Sequence, residues 1–233
     1  AVYFASSADF SVYALDAKTG KVRWIFFTAG PVRLAPTVVE NRLYVGSDDG
    51  CVYCLSTDNG SLIWKFDVAT ENSMVPGNGQ MISLLPVRTG LVVDDDKMKV
   101  NERVIPIQGA FLFALNAENG AVLWRQKLDI SPQGYLLAST QNLYVPTGRT
   151  APVSFSRKSG TFKGAFASAG GAYTLLTEET LVTGPGRGPK QLNAADVTTK
   201  GTIATFGGLR MVVKGRMAYM QSEKELTALD RRR

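Results

Sequence analysis

The 233-residue chain carries 26 Lys and Arg against 20 Asp and Glu, a net charge of +6, and 45% of its residues are hydrophobic. That hydrophobic share supports a packed core and excludes bulk disorder, while no run approaches the roughly 20 apolar residues of a membrane-spanning helix. The chain has no histidine, which excludes a Ser-His-Asp or Cys-His site, a His-ligated zinc and a C-x-x-C-H haem attachment. The basic excess is scattered over loops, and part of it is Arg231, Arg232 and Arg233 at the end. With no basic helix and no Lys/Arg stripe interleaved with aromatics, the chain is not expected to bind nucleic acid.

In chain order, the first element is a strand, Val2-Tyr3-Phe4-Ala5. A hairpin follows: Val12-Tyr13-Ala14-Leu15, a turn Asp16-Ala17-Lys18-Thr19-Gly20, then Lys21-Val22-Arg23-Trp24. The hairpin recurs as Val52-Tyr53-Cys54-Leu55, Ser56-Thr57-Asp58-Asn59-Gly60 and Ser61-Leu62-Ile63-Trp64. It recurs again as Leu112-Phe113-Ala114-Leu115, Asn116-Ala117-Glu118-Asn119-Gly120 and Ala121-Val122-Leu123-Trp124. Two weaker copies follow. Val153-Ser154-Phe155-Ser156 keeps its turn to Gly160 but has Gly164 in place of the Trp, and Leu192-Asn193-Ala194-Ala195-Asp196 leads into Gly201. A last copy, Thr227-Ala228-Leu229-Asp230, stops before its turn.

The polar residue that opens each turn falls at 16, 56, 116, 156, 196 and 230, in steps of 40, 60, 40, 40 and 34. A 40-residue period of strand content is the length of a propeller blade. Aromatic and branched residues favour the strands. Asp, Asn or Thr side chains bond the turn backbone, and Gly supplies positive φ. Upstream strands such as Arg42-Leu43-Tyr44-Val45 and Asn142-Leu143-Tyr144-Val145 complete the units. The predicted fold is all-β: a β-propeller of four-stranded antiparallel blades. Four complete blades are expected near 32–66, 79–127, 131–165 and 169–206, with partial blades at 1–27 and 209–230, all within one domain or domain fragment spanning 1–233. An open set of blades leaves edges unprotected, so either these pieces close a six-unit ring or blades are missing; the second is favoured, and the expected parent is a seven- or eight-bladed ring within a longer protein.

Several residues invite a chemical reading. Cys51 and Cys54 form a C-x-x-C. Their place in a strand puts them on opposite faces, so a structural role is expected rather than a redox or metal pair. Asp48-Asp49 and Asp94-Asp95-Asp96 are carboxylate runs at predicted hairpin turns and are expected to be solvated. The 60-residue unit holds an insert of about 20 residues around 74–81 and 100–109, and long loops over a propeller face are where binding concentrates. Arg88 and Arg103 nearby, Arg149 after Pro146-Thr147-Gly148, and Arg187 and Lys190 in a Gly/Pro-rich loop are candidates for a ligand rim. No catalytic constellation and no metal site are expected.

The A-x-D-x-x-T-G-x-x-x-W hairpin resembles the tryptophan-docking repeat of pyrroloquinoline-quinone-like propellers, best at 12–24 and well at 52–64 and 112–124. The segments around Gly50-Cys51-Val52-Tyr53, Asn78-Gly79-Gln80-Met81 and Val145-Pro146-Thr147-Gly148-Arg149 look like a bacterial group of such propellers found in planctomycetes and relatives. The resemblance implies that Trp24, Trp64 and Trp124, with Gly20, Gly60 and Gly120, dock neighbouring blades. It also implies a periplasmic or cell-envelope location. One branch of the family is quinone dehydrogenases with Ca²⁺, in which a Trp and a disulfide ring of adjacent cysteines hold the quinone; this sequence has no adjacent pair. Another branch is the scaffold lipoprotein of the outer-membrane assembly machinery, which has no cofactor. The expected function is therefore a non-catalytic binding or scaffold propeller without cofactor, which meets a protein or glycan partner, or a fused domain, at its face. The alternative is part of a quinone- and Ca²⁺-dependent alcohol or sugar dehydrogenase.

Overall fold

The computed structural model describes residues 1–67, 74–77, 79–87, 89–94, 103–105, 107–108, 111–130, 132, 134–148, 150–168, 170–171, 173–186 and 190–231. Regular structure among them is entirely β, in antiparallel sheets, and it divides into two compact units, Ala1–Ile130 and Ser131–Arg233.

In the first unit, β1 (Val2–Ser6), β2 (Ser11–Leu15) and β3 (Val22–Phe27) form a three-stranded sheet. β4 (Thr37–Val39), β5 (Arg42–Gly46), β6 (Cys51–Ser56) and β7 (Leu62–Asp67) form a four-stranded blade in chain order. β8 (Met74–Gly77) and β9 (Gln80–Ser83) are a separate two-stranded hairpin. The next blade holds β10 (Val92–Asp94), β11 (Arg103–Ile105), β12 (Ile107–Gln108), β13 (Phe111–Asn116) and β14 (Val122–Lys127). β11 and β12 both pair with β13, at Arg103↔Asn116 and Ile107↔Leu112, in one continuous register. They therefore share one strand position, and this blade too has four. Its first strand lies at Val92 rather than near 79, because the 74–83 stretch pairs with itself.

In the second unit, β15 (Leu137–Ala138), β16 (Asn142–Val145), β17 (Val153–Ser156) and β18 (Phe162–Ala165) make one blade. β19 (Tyr173–Leu176), β20 (Thr180–Gly184), β21 (Gln191–Asp196) and β22 (Thr202–Gly207) make the next. β23 (Arg210–Lys214), β24 (Met217–Gln221) and β25 (Leu226–Asp230) form a three-stranded sheet.

The third strand of each blade is buried on both faces. Along β6, Cys51, Tyr53 and Leu55 pack with Val12, Ala14 and Trp24 of the preceding sheet. Val52 and Cys54 pack with Phe113 and Leu115 of the following blade. This is the two-residue alternation of a strand with sheets on either side. Between the third and fourth strands the register slips at the same place in every blade: Ala14/Leu15, Cys54/Leu55, Ala114/Leu115, Ser154/Phe155 and Ala194/Ala195. A bulge there sharpens the local twist and re-aims the residue beside it, and that residue is the tryptophan position.

The turns explain why the hairpins form. Asp16 Oδ1 accepts the backbone N–H of Lys18 (3.1 Å) and Thr19 (2.8 Å), and Gly20 N–H returns to the Asp16 carbonyl (2.9 Å). Asn116 Oδ1 does the same for Glu118 and Asn119, and Asp196 Oδ1 for Thr198 and Thr199. In the fifth copy the left-handed residue is Lys200 (φ 62°), not the expected Gly201. It sits four residues after Asp196, as Gly20 does after Asp16, and donates to the Asp196 carbonyl.

The backbone and side-chain hydrogen bonds of Thr19, then that of Lys18, hold the Asp16 carboxyl below its ordinary value of 3.8, and the amides of Thr199 and Thr198 do so for Asp196. A lowered folded pKa stabilises above the unfolded value and is lost as pH falls through the folded one. Because Asn116 makes the same turn, an Asp16→Asn/Asp196→Asn variant keeps the fold. Its stability deficit against the parent is expected to shrink as pH falls below about 4, read as thermal midpoints from pH 7 to pH 3. A gap independent of pH would count against the turn carboxylates as the cause.

Candidate functional site

The repeat carries a tryptophan in three of its copies, and the structure places each on the outermost strand immediately after the bulge. Trp24 pairs with Ala14, Trp64 with Cys54 and Trp124 with Ala114. The Trp24 indole crosses to the next blade, where its N–H donates to the Thr57 carbonyl (3.0 Å). Trp64 donates likewise to Ala117 (2.9 Å). A second donor meets each carbonyl: Tyr3 Oη at Thr57 (3.3 Å) and Tyr44 Oη at Ala117 (3.4 Å). The tyrosine and tryptophan rings sit 5.8 and 5.9 Å apart. The Trp124 indole nitrogen is buried without a hydrogen-bond partner among the described residues.

Glycine at the turn is needed twice over. Gly60 and Gly120 both have φ 74°, and a Cβ on either would lie 2.7 Å from Trp24 or 2.9 Å from Trp64. Gly20 has the same conformation, with nothing within 4 Å of a Cβ.

A second constellation was not foreseen. The β5–β6 turn carries Asp48 and Asp49, expected to be solvated, yet Asp48 is fully buried and Asp49 is 9% exposed. Two neighbouring segments cover this turn. Asp48 N–H donates to the Pro31 carbonyl (2.9 Å), while Ser83 and Val87 donate to the carbonyls of Asp48 and Ser47 (2.8 and 3.1 Å). Asp49 accepts Ala29 N–H (3.0 Å), Cys51 N–H (2.9 Å) and Tyr53 O–H (2.5 Å), and Asp48 pairs with Arg33 Nε (2.7 Å). Burial first, then the bond to Asp49 and its charge, pushes the Tyr53 phenol up, so it stays a donor. The sequence marks two strand ends here but carries no sign that the 27–36 and 83–87 segments fold over them.

Cys51 and Cys54 face different cores and are free thiols. Burial, with the charges of Asp49 and Asp67, raises Cys51 to about 12; burial raises Cys54 to about 11. Among the described residues no three His, Cys, Asp or Glu side chains gather to hold a metal.

The expected rim is only partly within view. Arg88, Arg149 and Arg187 lie outside the described residues, as do Asp95 and Asp96, and Arg103 opens β11. Lys190 is exposed and ion-pairs with Glu223. An apolar groove of about 830 Å³ lies between the β19–β22 blade and the β23–β25 sheet, lined by Val182, Phe206, Met211, Val213 and Leu229.

The profile of one protein family, described as outer membrane protein assembly factor BamB, matches residues 2–128. The chain belongs to that family. BamB of Taylorella asinigenitalis is 32% identical over 95 residues, covering 40% of this chain and 23% of that protein. A polyvinylalcohol dehydrogenase of a Pseudomonas species is 29% identical over 120 residues, covering 51% of this chain and 17% of the other. The matched stretch is thus a small part of each curated relative. Among solved structures, BamB from Moraxella catarrhalis superposes with a TM-score of 0.70 at 15% identity, over 98% of this chain and 70% of that one. Quinohemoprotein alcohol dehydrogenase from Comamonas testosteroni gives 0.64 at 14% identity, over 90% and 42%. The fold is therefore the repeat propeller common to the assembly factor and to quinone dehydrogenases. No helix among the described residues is long and apolar enough to cross a membrane.

Two outcomes test these contacts. Gly20→Ala is expected to cost about 1 kcal/mol, the left-handed backbone penalty alone, whereas Gly60→Ala adds the overlap with the indole, about 1–3 kcal/mol more. Urea unfolding measures both, and equal losses would remove the docking interpretation. Because the nucleophile is the thiolate, Cys51 and Cys54 should resist a disulfide-exchange reagent at pH 8 in the native chain and react together on unfolding. Rapid native labelling would contradict their burial.

Proposed function

We propose that this chain is a non-catalytic scaffold propeller of the cell envelope that presents its blade faces and loops to a protein partner. One observation carries the reading: Trp24, Trp64, Asp48, Asp49 and both cysteines, the described groups that most suggest chemistry, are already engaged in joining sheets. The rings of Trp24 and Trp64 are covered by the turns at Gly60 and Gly120, so neither offers a free face to a stacked cofactor. Asp48 and Asp49 are committed to Arg33, Tyr53 and backbone amides. The two cysteines point into separate cores and cannot supply a disulfide ring. These engagements support a propeller without quinone or cation, while the similarity to a polyvinylalcohol dehydrogenase keeps the dehydrogenase as the reading to test against. Family membership supports the scaffold and the envelope location.

The test is reconstitution of the purified chain with pyrroloquinoline quinone and Ca²⁺. After desalting, no stoichiometric visible absorbance is expected to remain with the protein, and no dye-linked oxidation of alcohols above background. A retained one-to-one quinone signal would overturn the scaffold reading.

A further inference from the structure

One joint in the second unit departs from the repeat at linked positions. Around Trp64 stand Arg42, Tyr44, Ala117 and Gly120. The repeat register makes Asn142, Tyr144, Val197 and Lys200 their counterparts, with Gly164 in place of the tryptophan, paired to Ser154 as Trp64 is to Cys54. The ring has gone, the bridging arginine has become a short amide, and the turn glycine has become a lysine.

Lys200 keeps the left-handed conformation, φ 62°. For a residue with a Cβ that costs about 1 kcal/mol, which glycine at 20, 60, 120 and 160 avoids. Backbone strain held where four sister turns have none points to a use for the side chain. The ammonium lies over Gly164, 2.8 Å from where a Cβ would stand, and donates to the Lys163 carbonyl. It has three protons, and that carbonyl takes one.

The slot left by the ring is open. A cleft of about 500 Å³ is lined by Asn142, Tyr144, Ser154, Lys163, Thr198 and Lys200, with Glu178 as the one acidic side chain among the described lining residues. Ser139, also in the lining, accepts Arg157 Nη1 at its carbonyl (2.7 Å), and its Oγ meets Tyr144 Oη (3.3 Å). Hydroxyls, an amide and two ammonium groups against one carboxylate suit a small anion with several acceptor oxygens.

We infer that this cleft between the β15–β18 and β19–β22 blades binds a small oxyanion, a phosphate or carboxylate group, with Lys200 as the principal contact and Lys163 and Thr198 beside it. The site stands apart from the scaffold reading, and either can fail without the other.

The test is titration of the full 233-residue chain with inorganic phosphate at constant ionic strength, followed by amide chemical shifts and calorimetry. Parallel arms use acetate and neutral maltose. Saturable shifts confined to the cleft are expected for phosphate or acetate, whichever is the better ligand, and none for maltose. Lys200→Gly, which installs the residue used by the sister turns, should melt no lower than the parent and bind at least about tenfold more weakly, a loss of about 1.4 kcal/mol. Gly164→Trp with Lys200→Gly rebuilds the indole joint, fills the cleft and should abolish binding. Undiminished affinity in Lys200→Gly would overturn the inference. So would saturation by maltose alone, or no saturation by either anion.

Discussion

The contact on which the first unit depends is an indole laid on the backbone of the next blade's turn. It combines burial of a large ring with a hydrogen bond to a carbonyl that also receives a tyrosine hydroxyl. Two donors from two strands of one blade thereby fix a single atom of its neighbour. The geometry is demanding, since the ring leaves no room for a side chain at Gly60 or Gly120. The same glycine serves its own hairpin through positive φ, so one residue satisfies a local and a long-range condition together.

The bulge makes this contact possible. It recurs at the same step between third and fourth strands in all five hairpins, including the two whose tryptophan position holds Gly164 or Ala204. Blade shape is therefore set by turn and bulge, and the tryptophan uses a direction that the backbone already supplies. This explains why the second unit keeps its hairpins while its joints are built differently, with Lys200 reaching over Gly164 beside an open cleft in one place and Val182, Met211 and Ala218 packed around Ala194 in another.

Asp48 and Asp49 show a second way of fastening sheets. Burying carboxylates is costly unless they find donors, and here the donors come from Ala29 and Arg33 in the preceding linker and from Cys51 and Tyr53 on β6. Such a cluster adds little net stability, but it penalises any arrangement that leaves a carboxylate unpaired. A loop carrying two adjacent acids thus becomes an internal joint, which accords with a protein whose polar groups serve assembly of its own blades.

The fold was legible because its signals are local and repeated. Hairpin turns opened by Asp, Ser or Asn, glycine four residues on and tryptophan at a constant spacing depend on a few neighbouring residues, and the two-residue alternation of a strand suffices to place Cys51 and Cys54 on opposite faces. The turn lysine was within reach too, had the four-residue step from Asp16 to Gly20 been applied to Asp196 in place of the nearest glycine. The start of the third blade was not, because the 74–83 stretch has strand character whichever partner it takes. Nor was the burial of Asp48 and Asp49, or the second donor from Tyr3 and Tyr44. The sequence by itself determined the strands, turns and repeat, which rest on backbone preference and spacing. Only the tertiary structure decided which polar groups are covered and which slot between blades stays open, because those depend on segments 15 to 75 residues apart meeting in space.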